Sequence, residues 1–195
     1  MRRIRKIFAL TLAALAVVLI LAACSGGGQS VQERVQEIRA DILQAQRIVI
    51  NAQVTADYGD RVYEFTIRYT GLANAGEIAI LAPEQVAGIT AEVSPDGAAL
   101  VFDGARLDTG RLTNGGLTPV GAIPWLIYEW QSGSIEHVGT ERFGDADTLT
   151  FETFVDESVS QRTWFDSGTL LPIRSEIRYN GAVVILCVFS NVIIS

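Results

Sequence analysis

Ile173-Arg174-Ser175-Glu176-Ile177-Arg178-Tyr179-Asn180-Gly181-Ala182-Val183-Val184-Ile185-Leu186-Cys187-Val188-Phe189 is the stretch on which the fold turns. Asn180-Gly181 supplies the two residues that accept positive φ in a type I′ turn, and both flanks are rich in β-branched and aromatic residues. The pattern predicts a hairpin between strands 173–179 and 182–194. Working toward the N-terminus, further strands are predicted over 158–165 and 148–155, and Ile135-Glu136-His137-Val138 reads as another. Segments 98–103 and 89–94 flank Pro95-Asp96-Gly97, a turn sequence, and 77–82 precedes them. Tyr63, Phe65, Ile67 and Tyr69 alternate with Glu64, Thr66 and Arg68, as in a half-buried strand. Across the turn Asp57-Tyr58-Gly59-Asp60, Ile48, Ile50, Ala52 and Val54 do the same. About ten short strands at regular spacing predict an antiparallel sheet, sandwich or barrel.

Two segments follow a helical period instead. Val31, Val35, Ile38 and Ile42 fall on one stripe, and Ser30 with Glu33 has the spacing of a capping box, predicting a helix over 30–46. Thr118-Pro119 reads as an N-cap and first helical residue. It opens a run containing Ala122, Ile123, Trp125, Leu126, Ile127, Tyr128 and Trp130, with Glu129 its single charge before Gln131. Such a segment is expected to be buried or to lie over an apolar surface, with Pro124 bending or restarting the helix.

Ahead of all this, Arg2, Arg3, Arg5 and Lys6 precede an uncharged apolar stretch over 7–23. Basic flank, apolar centre and small residues before a cut are the layout of a secretory signal. The competing reading, a retained membrane helix, has nearly the required length. Leu21-Ala22-Ala23-Cys24 decides for a signal over 1–23: it resembles the lipobox of bacterial lipoproteins, in which the cysteine receives diacylglycerol and the chain is cut before it. Palmitate-like acyl chains on Cys24 would then hold the protein at the cell membrane on its extracytoplasmic side, two chains sufficing for stable attachment. Residues 24–30, with Gly26-Gly27-Gly28, read as a lipidated tether, and 31–195 as one folded domain.

Loss of the four basic signal residues leaves 11 arginines against 22 acids, a formal charge of −11. That surface repels phosphate backbones, which excludes nucleic acid as a partner, and it repels anionic headgroups, so the acyl anchor must supply membrane attachment. With Cys24 acylated, Cys187 is alone in an apolar strand. No intramolecular disulfide is available, and a small buried hydrophobe is expected there rather than a nucleophile.

The run Arg162-Thr163-Trp164-Phe165-Asp166-Ser167-Gly168-Thr169-Leu170-Leu171-Pro172-Ile173 resembles a recurrent piece of the LolA-like lipoprotein-carrier superfamily: a strand ending in Trp-x-Asp, a turn, then Leu-Pro and an outgoing strand. Asn180-Gly181 with Val188-Phe189-Ser190-Asn191-Val192 is similar to that family's closing hairpin. Ala82-Pro83-Glu84-Gln85-Val86-Ala87-Gly88-Ile89 and Gly116-Leu117-Thr118-Pro119-Val120 resemble LolA-like lipoproteins of Gram-positive spore formers, including a spore-germination lipoprotein. The resemblance implies a curved antiparallel half-barrel, mainly β with α. The N-terminal helix and the mid-chain apolar helix would cover its concave face, where the carriers accept acyl chains. Being itself a lipoprotein, this chain fits an anchored acceptor better than a soluble shuttle.

Trp125, Trp130 and Trp164, with Tyr63, Tyr69 and Tyr128, read either as core or as the lining of a ligand cavity. The ligand-binding candidates are Leu126, Trp130, Trp125, Tyr63 and Phe65. His137 is the only histidine, so neither a His-based metal site nor a cofactor is implied, and a catalytic triad would need it as base without any nucleophile elbow to serve. Glu141, Asp145, Asp147, Glu152, Asp156 and Glu157 contain pairs of the kind glycoside hydrolysis uses, but most sit in turns where acids are solvated. The leading expectation is a non-enzymatic anchored lipoprotein that binds a lipid or the acyl chain of another lipoprotein. An interaction module for an envelope or germination partner is the alternative, and an envelope glycoside hydrolase the third. Cys24→Ala is expected to abolish incorporation of labelled fatty acid and to leave an uncleaved precursor, read by autoradiography and mass shift.

Overall fold

Alternating sequence becomes strand here wherever one face can be buried. The computed structural model describes residues 30–73, 75–94, 97–110 and 116–195; Cys24, the tether and the Pro95-Asp96 turn lie outside the described residues. Helix α1 (Val31–Gln44) leads into β1 (Ile48–Asp57), β2 (Val62–Gly71), β3 (Gly76–Ala82), β4 (Thr90–Ser94), β5 (Gly97–Phe102) and β6 (Ala105–Gly110). Helix α2 (Pro119–Ser132) follows, then β7 (Ile135–Phe143), β8 (Ala146–Phe154), β9 (Val159–Asp166), β10 (Pro172–Tyr179) and β11 (Ala182–Ile194). The eleven strands make one open antiparallel sheet, curved into a half-barrel, in the order β6-β5-β4-β3-β2-β1-β11-β10-β9-β8-β7.

The closing hairpin forms as its sequence requires. Asn180 and Gly181 take φ of 50° and 81°, and Tyr179 pairs with Ala182 across them. One strand more is present than the sequence pattern indicates. Asp103-Gly104, with φ of 47° and 78°, is a second turn of this kind, and it returns the chain as β6. Residues 105–109 are exposed on both sides of that edge strand, so no alternation marks it.

One face of the sheet carries Ile48, Ile50, Ala52, Val54, Ile67, Tyr69, Leu149, Phe151, Phe165, Ile177, Ile185 and Cys187, all in a single buried cluster. Both helices close on that face. Val35, Ile38 and Ile42 of α1 are buried in it, the stripe that their spacing predicts, although the helix ends at Gln44. From α2 the cluster takes Ala122, Ile123, Leu126, Ile127 and Trp130.

Local chemistry sets the helix positions. The Asp166 carboxylate accepts from the N–H groups of Gly168 (2.9 Å) and Thr169 (2.8 Å) and from the Thr169 hydroxyl (3.0 Å). It thereby shapes the β9–β10 turn, on whose Ser167 carbonyl Arg34 of α1 docks. The Thr118 hydroxyl accepts from Gly121 N–H at 3.2 Å and starts α2, which runs unbroken through Pro124. The helix is not restarted at Pro124: the proline forfeits the backbone bond to the Val120 carbonyl, while burial of Ala122, Ile123, Leu126, Ile127 and Trp130 holds the segment helical. Gly116, with φ +71°, lies directly under Trp125: a Cβ there would stand 2.5 Å from Trp125 Cε3 and 2.9 Å from Ile177 Cδ1. Gly116→Ala is therefore expected to lower unfolding free energy by about 1–3 kcal/mol, measured by urea titration, through overpacking and a strained backbone.

Candidate apolar site and its polar clamp

Trp130 is the centre of the helix–sheet contact. Its ring meets Phe165 edge-on at 5.5 Å and Phe189 at 5.7 Å, and Phe151 stacks on Phe165 at 5.1 Å. Its indole N–H donates to Thr163 Oγ1 at 2.9 Å. That hydroxyl also lies 2.7 Å from Gln161 Oε1 and 2.6 Å from Ser175 Oγ, with all three residues fully buried. A consistent pattern has Thr163 donating to Gln161 and accepting from Trp130 and Ser175. Gln161 Nε2 is buried without a hydrogen-bond partner, a polar group facing an otherwise apolar interior.

A second polar contact secures the end of α2. Glu129 is 6 % exposed and accepts from the Thr153 hydroxyl at 2.9 Å. Arg39 of α1 faces its charge and donates to the carbonyl of Gly133, where a Cβ would collide with the Glu129 carboxylate. Burial raises the Glu129 carboxyl above its ordinary value, outweighing the opposing pull of the Thr153 hydroxyl and the Arg39 guanidinium.

Leu126, Trp130, Trp125 and Phe65 belong to one apolar cluster, Leu126 and Trp130 fully buried in it and the other two packed against it. Tyr63 does not join them. It is 40 % exposed at the β1–β2 hairpin, its ring 6.1 Å from that of Tyr58. Of the remaining aromatics, Tyr69 is buried in the core and Tyr128 is exposed. Trp164 is on the opposite face of the sheet from Thr163 and Phe165, between the guanidinium groups of Arg162 (4.8 Å) and Arg174 (5.6 Å), and donates to Glu141.

At one end of the half-barrel, the β1–β2 and β10–β11 hairpins and the start of α2 frame an apolar groove of about 470 Å³. Tyr58, Leu117, Tyr179, Val183 and Val184 line it, and the Tyr58 hydroxyl donates to the Leu117 carbonyl at 2.9 Å. Leu117 and Val184 also pack against the core, so the groove floor is continuous with the apolar interior. Sequence reasoning missed this groove because its residues come from three separate turns and ends. The Asp57 and Asn180 turns were the available signal.

Several of the groups considered for covalent chemistry have other contacts. His137 is exposed on β7 with its ring 6.3 Å from Phe154. Glu141 pairs with Arg162 at 2.8 Å, Glu152 lies 4.0 Å from Arg178, and Asp156 accepts from the N–H groups of Ser158 and Val159. Cys187 is fully buried, and burial pushes its thiol up to about 12, leaving no thiolate nucleophile at neutral pH. Among the described residues no three His, Cys, Asp or Glu side chains gather as a metal site would need.

No protein-family model matches the sequence, and neither does any sequence among the curated proteins. Solved structures do match. An outer membrane lipoprotein-sorting protein domain from Vibrio parahaemolyticus superposes with a TM-score of 0.53 at 16% identity, over 82% of this chain and 76% of that one. The two chains share one fold. An uncharacterized conserved protein from Thermus thermophilus aligns at 0.53 and 12% identity, over 86% of this chain and 88% of its own. A LolA superfamily protein from Nitrosomonas europaea aligns at 0.48 and 13%, over 86% and 94%. The fold shared with the Vibrio and Thermus structures is the open, curved antiparallel sheet, here with its concave face filled by α1 and α2.

Since the folded-state value of Glu129 is raised, its contribution to stability is fully present below the ordinary carboxylate range and is lost as pH rises through the folded value. Glu129→Gln, which mimics the protonated form, is expected to melt with the wild type in acid and above it near neutral pH. Melting temperatures across that range, by calorimetry, check this.

Proposed function

We propose that this protein is an extracytoplasmic lipoprotein, held at the membrane by acylated Cys24, that binds an apolar ligand without covalent chemistry. The ligand is a lipid or the acyl chain of another lipoprotein. The observation that carries this reading is the apolar groove at the end of the half-barrel, whose floor residues Leu117 and Val184 are also part of the core surround. Its volume of about 470 Å³ is within the range of small-ligand sites. An acyl chain entering there would meet Tyr58, Leu117, Tyr179 and Val183 first. Leu126 and Trp130 lie deeper, where they serve a ligand only if α2 moves. Among the described residues no helix is long and apolar enough to cross a membrane.

A specific observation favours a second reading. Leu126 and Trp130 are already fully buried by this chain's own side chains, while Tyr58, Tyr179 and Val183 are exposed at the groove rim. A solid interior with an apolar rim suits an apolar side chain of a protein partner as well as a free acyl chain.

Binding of a fluorescent fatty acid separates the two. Val183 is 39 % exposed, so Val183→Asp leaves the fold intact and is expected to weaken fatty-acid binding roughly tenfold by placing a carboxylate on the apolar lining. Leu126→Ala is expected to lower stability by about 2–5 kcal/mol, as for a packed leucine. Folded wild-type protein that binds neither fatty acid nor lipopeptide at high micromolar concentration would end the ligand reading and leave the partner reading in place.

A further inference from the structure

The β6 edge carries a pattern that the apolar site does not use. β6 ends the sheet, and among the described residues no strand pairs with its outer side. The two-residue turn Asp103-Gly104 makes Phe102 and Ala105 a hydrogen-bonded pair. Alternation then points the N–H and C=O groups of Ala105 and Leu107 toward β5 and those of Arg106 and Asp108 out to the open edge, before the register slips at Thr109. Side chains alternate too. Leu107 pairs with Leu100, which packs against the core, so Leu107 and Phe102 project on the core side of the sheet, yet they are 64 % and 54 % exposed. Arg106 and Asp108 project on the other side, where Arg106 pairs with Glu92 and with Asp108 at 3.2 Å.

An open edge with exposed apolar side chains is a template for another strand. Arg106-Leu107-Asp108 is also its own complement when reversed. We propose that β6 is a self-recognition edge, pairing antiparallel with β6 of a second copy about a two-fold axis through Leu107. In that register the outward-facing N–H and C=O groups of Arg106 bond those of the second copy's Asp108, and the reverse pair does the same. Each guanidinium stands opposite a carboxylate, twice by symmetry, and the two Leu107 side chains meet at the non-hydrogen-bonded position, where side chains approach most closely. An unrelated extended segment would satisfy the backbone but not this charge order, which is why the occupant is a second copy. The product is two half-barrels sharing a continuous sheet, with their apolar edges covered.

The register is testable by cross-linking the full chain in membranes. Leu107→Cys is expected to give a disulfide dimer on mild oxidation, because the paired Cα atoms lie roughly 4.5 Å apart, within disulfide range. Thr109→Cys is expected to stay at the wild-type background, since its two copies are offset by four residues, roughly 13 Å. Cys187 is fully buried and adds little to that background. Introducing Arg106→Asp into Leu107→Cys turns both charge pairs into like pairs and is expected to cut the dimer roughly tenfold. Adding Asp108→Arg reverses the pattern, makes it self-complementary again and restores the dimer. No dimer from Leu107→Cys, an equal dimer from Thr109→Cys, or a charge-reversed pair that fails to restore it would each overturn the proposal.

Discussion

Nine of the ten strand pairings join neighbours in the chain, and the tenth joins β1 to β11. The molecule depends on that one. Without it the strands before α2 and those after it are two separate meanders, each with one face of apolar side chains and nothing to bury it against. Ile48 opposite Ile194 and Val54 opposite Cys187 bring the two ends of the described chain together, at the entropic cost of closing a loop through nearly every other strand. What offsets it is the buried row Ile48, Ile50, Ala52, Val54 and Ala56 beside Ile185, Cys187 and Phe189, at the centre of the sheet and under both helices.

This pairing also dictates where α2 goes. With β1 and β11 central, β6 and β7 become opposite edges of a curved sheet, so the connection between them spans the open side. A span over the core face of such a sheet is apolar toward the strands, and α2 is apolar enough to fill it. Two polar groups that α2 carries inward meet partners: the Trp130 N–H finds Thr163, and the Glu129 carboxylate finds Thr153 opposite Arg39. Unpaired, either would cost on the order of 1–3 kcal/mol, so these contacts select one docking position for the helix among many of equal greasiness.

The same filling shifts the functional reading from the concave interior to its end. Leu126 and Trp130 are fully buried by the chain's own side chains, while Tyr58, Tyr179 and Val183 stand exposed around the end groove. That groove is made of hairpin ends and a helix start, the parts of a fold that vary most freely while its scaffold is kept.

Much of the fold was legible in the chain because its signals are local. Alternation marked ten strands, Asn180-Gly181 the closing hairpin, Thr118-Pro119 the start of α2, and Val35, Ile38 and Ile42 the buried stripe of α1. Strand β6 escaped because an edge exposed on both faces has no period to read. The site was legible only in part: the apolar character of α2 predicted its burial, but not which aromatic would be where. Trp164 and Phe165 are adjacent in sequence and on opposite faces of the sheet, the first clamped by arginines outside and the second against Trp130 inside. Thr163, Ser175 and Gln161 read as ordinary polar strand residues, and became a buried clamp because register set them beneath the Trp130 indole. Local pattern thus determined the elements and their apolar faces. Which side chains meet across them was decided by tertiary structure, because the docking of α1 and the β1–β11 register are set by contacts between residues more than a hundred positions apart, such as Arg34 with Ser167 and Val54 with Cys187.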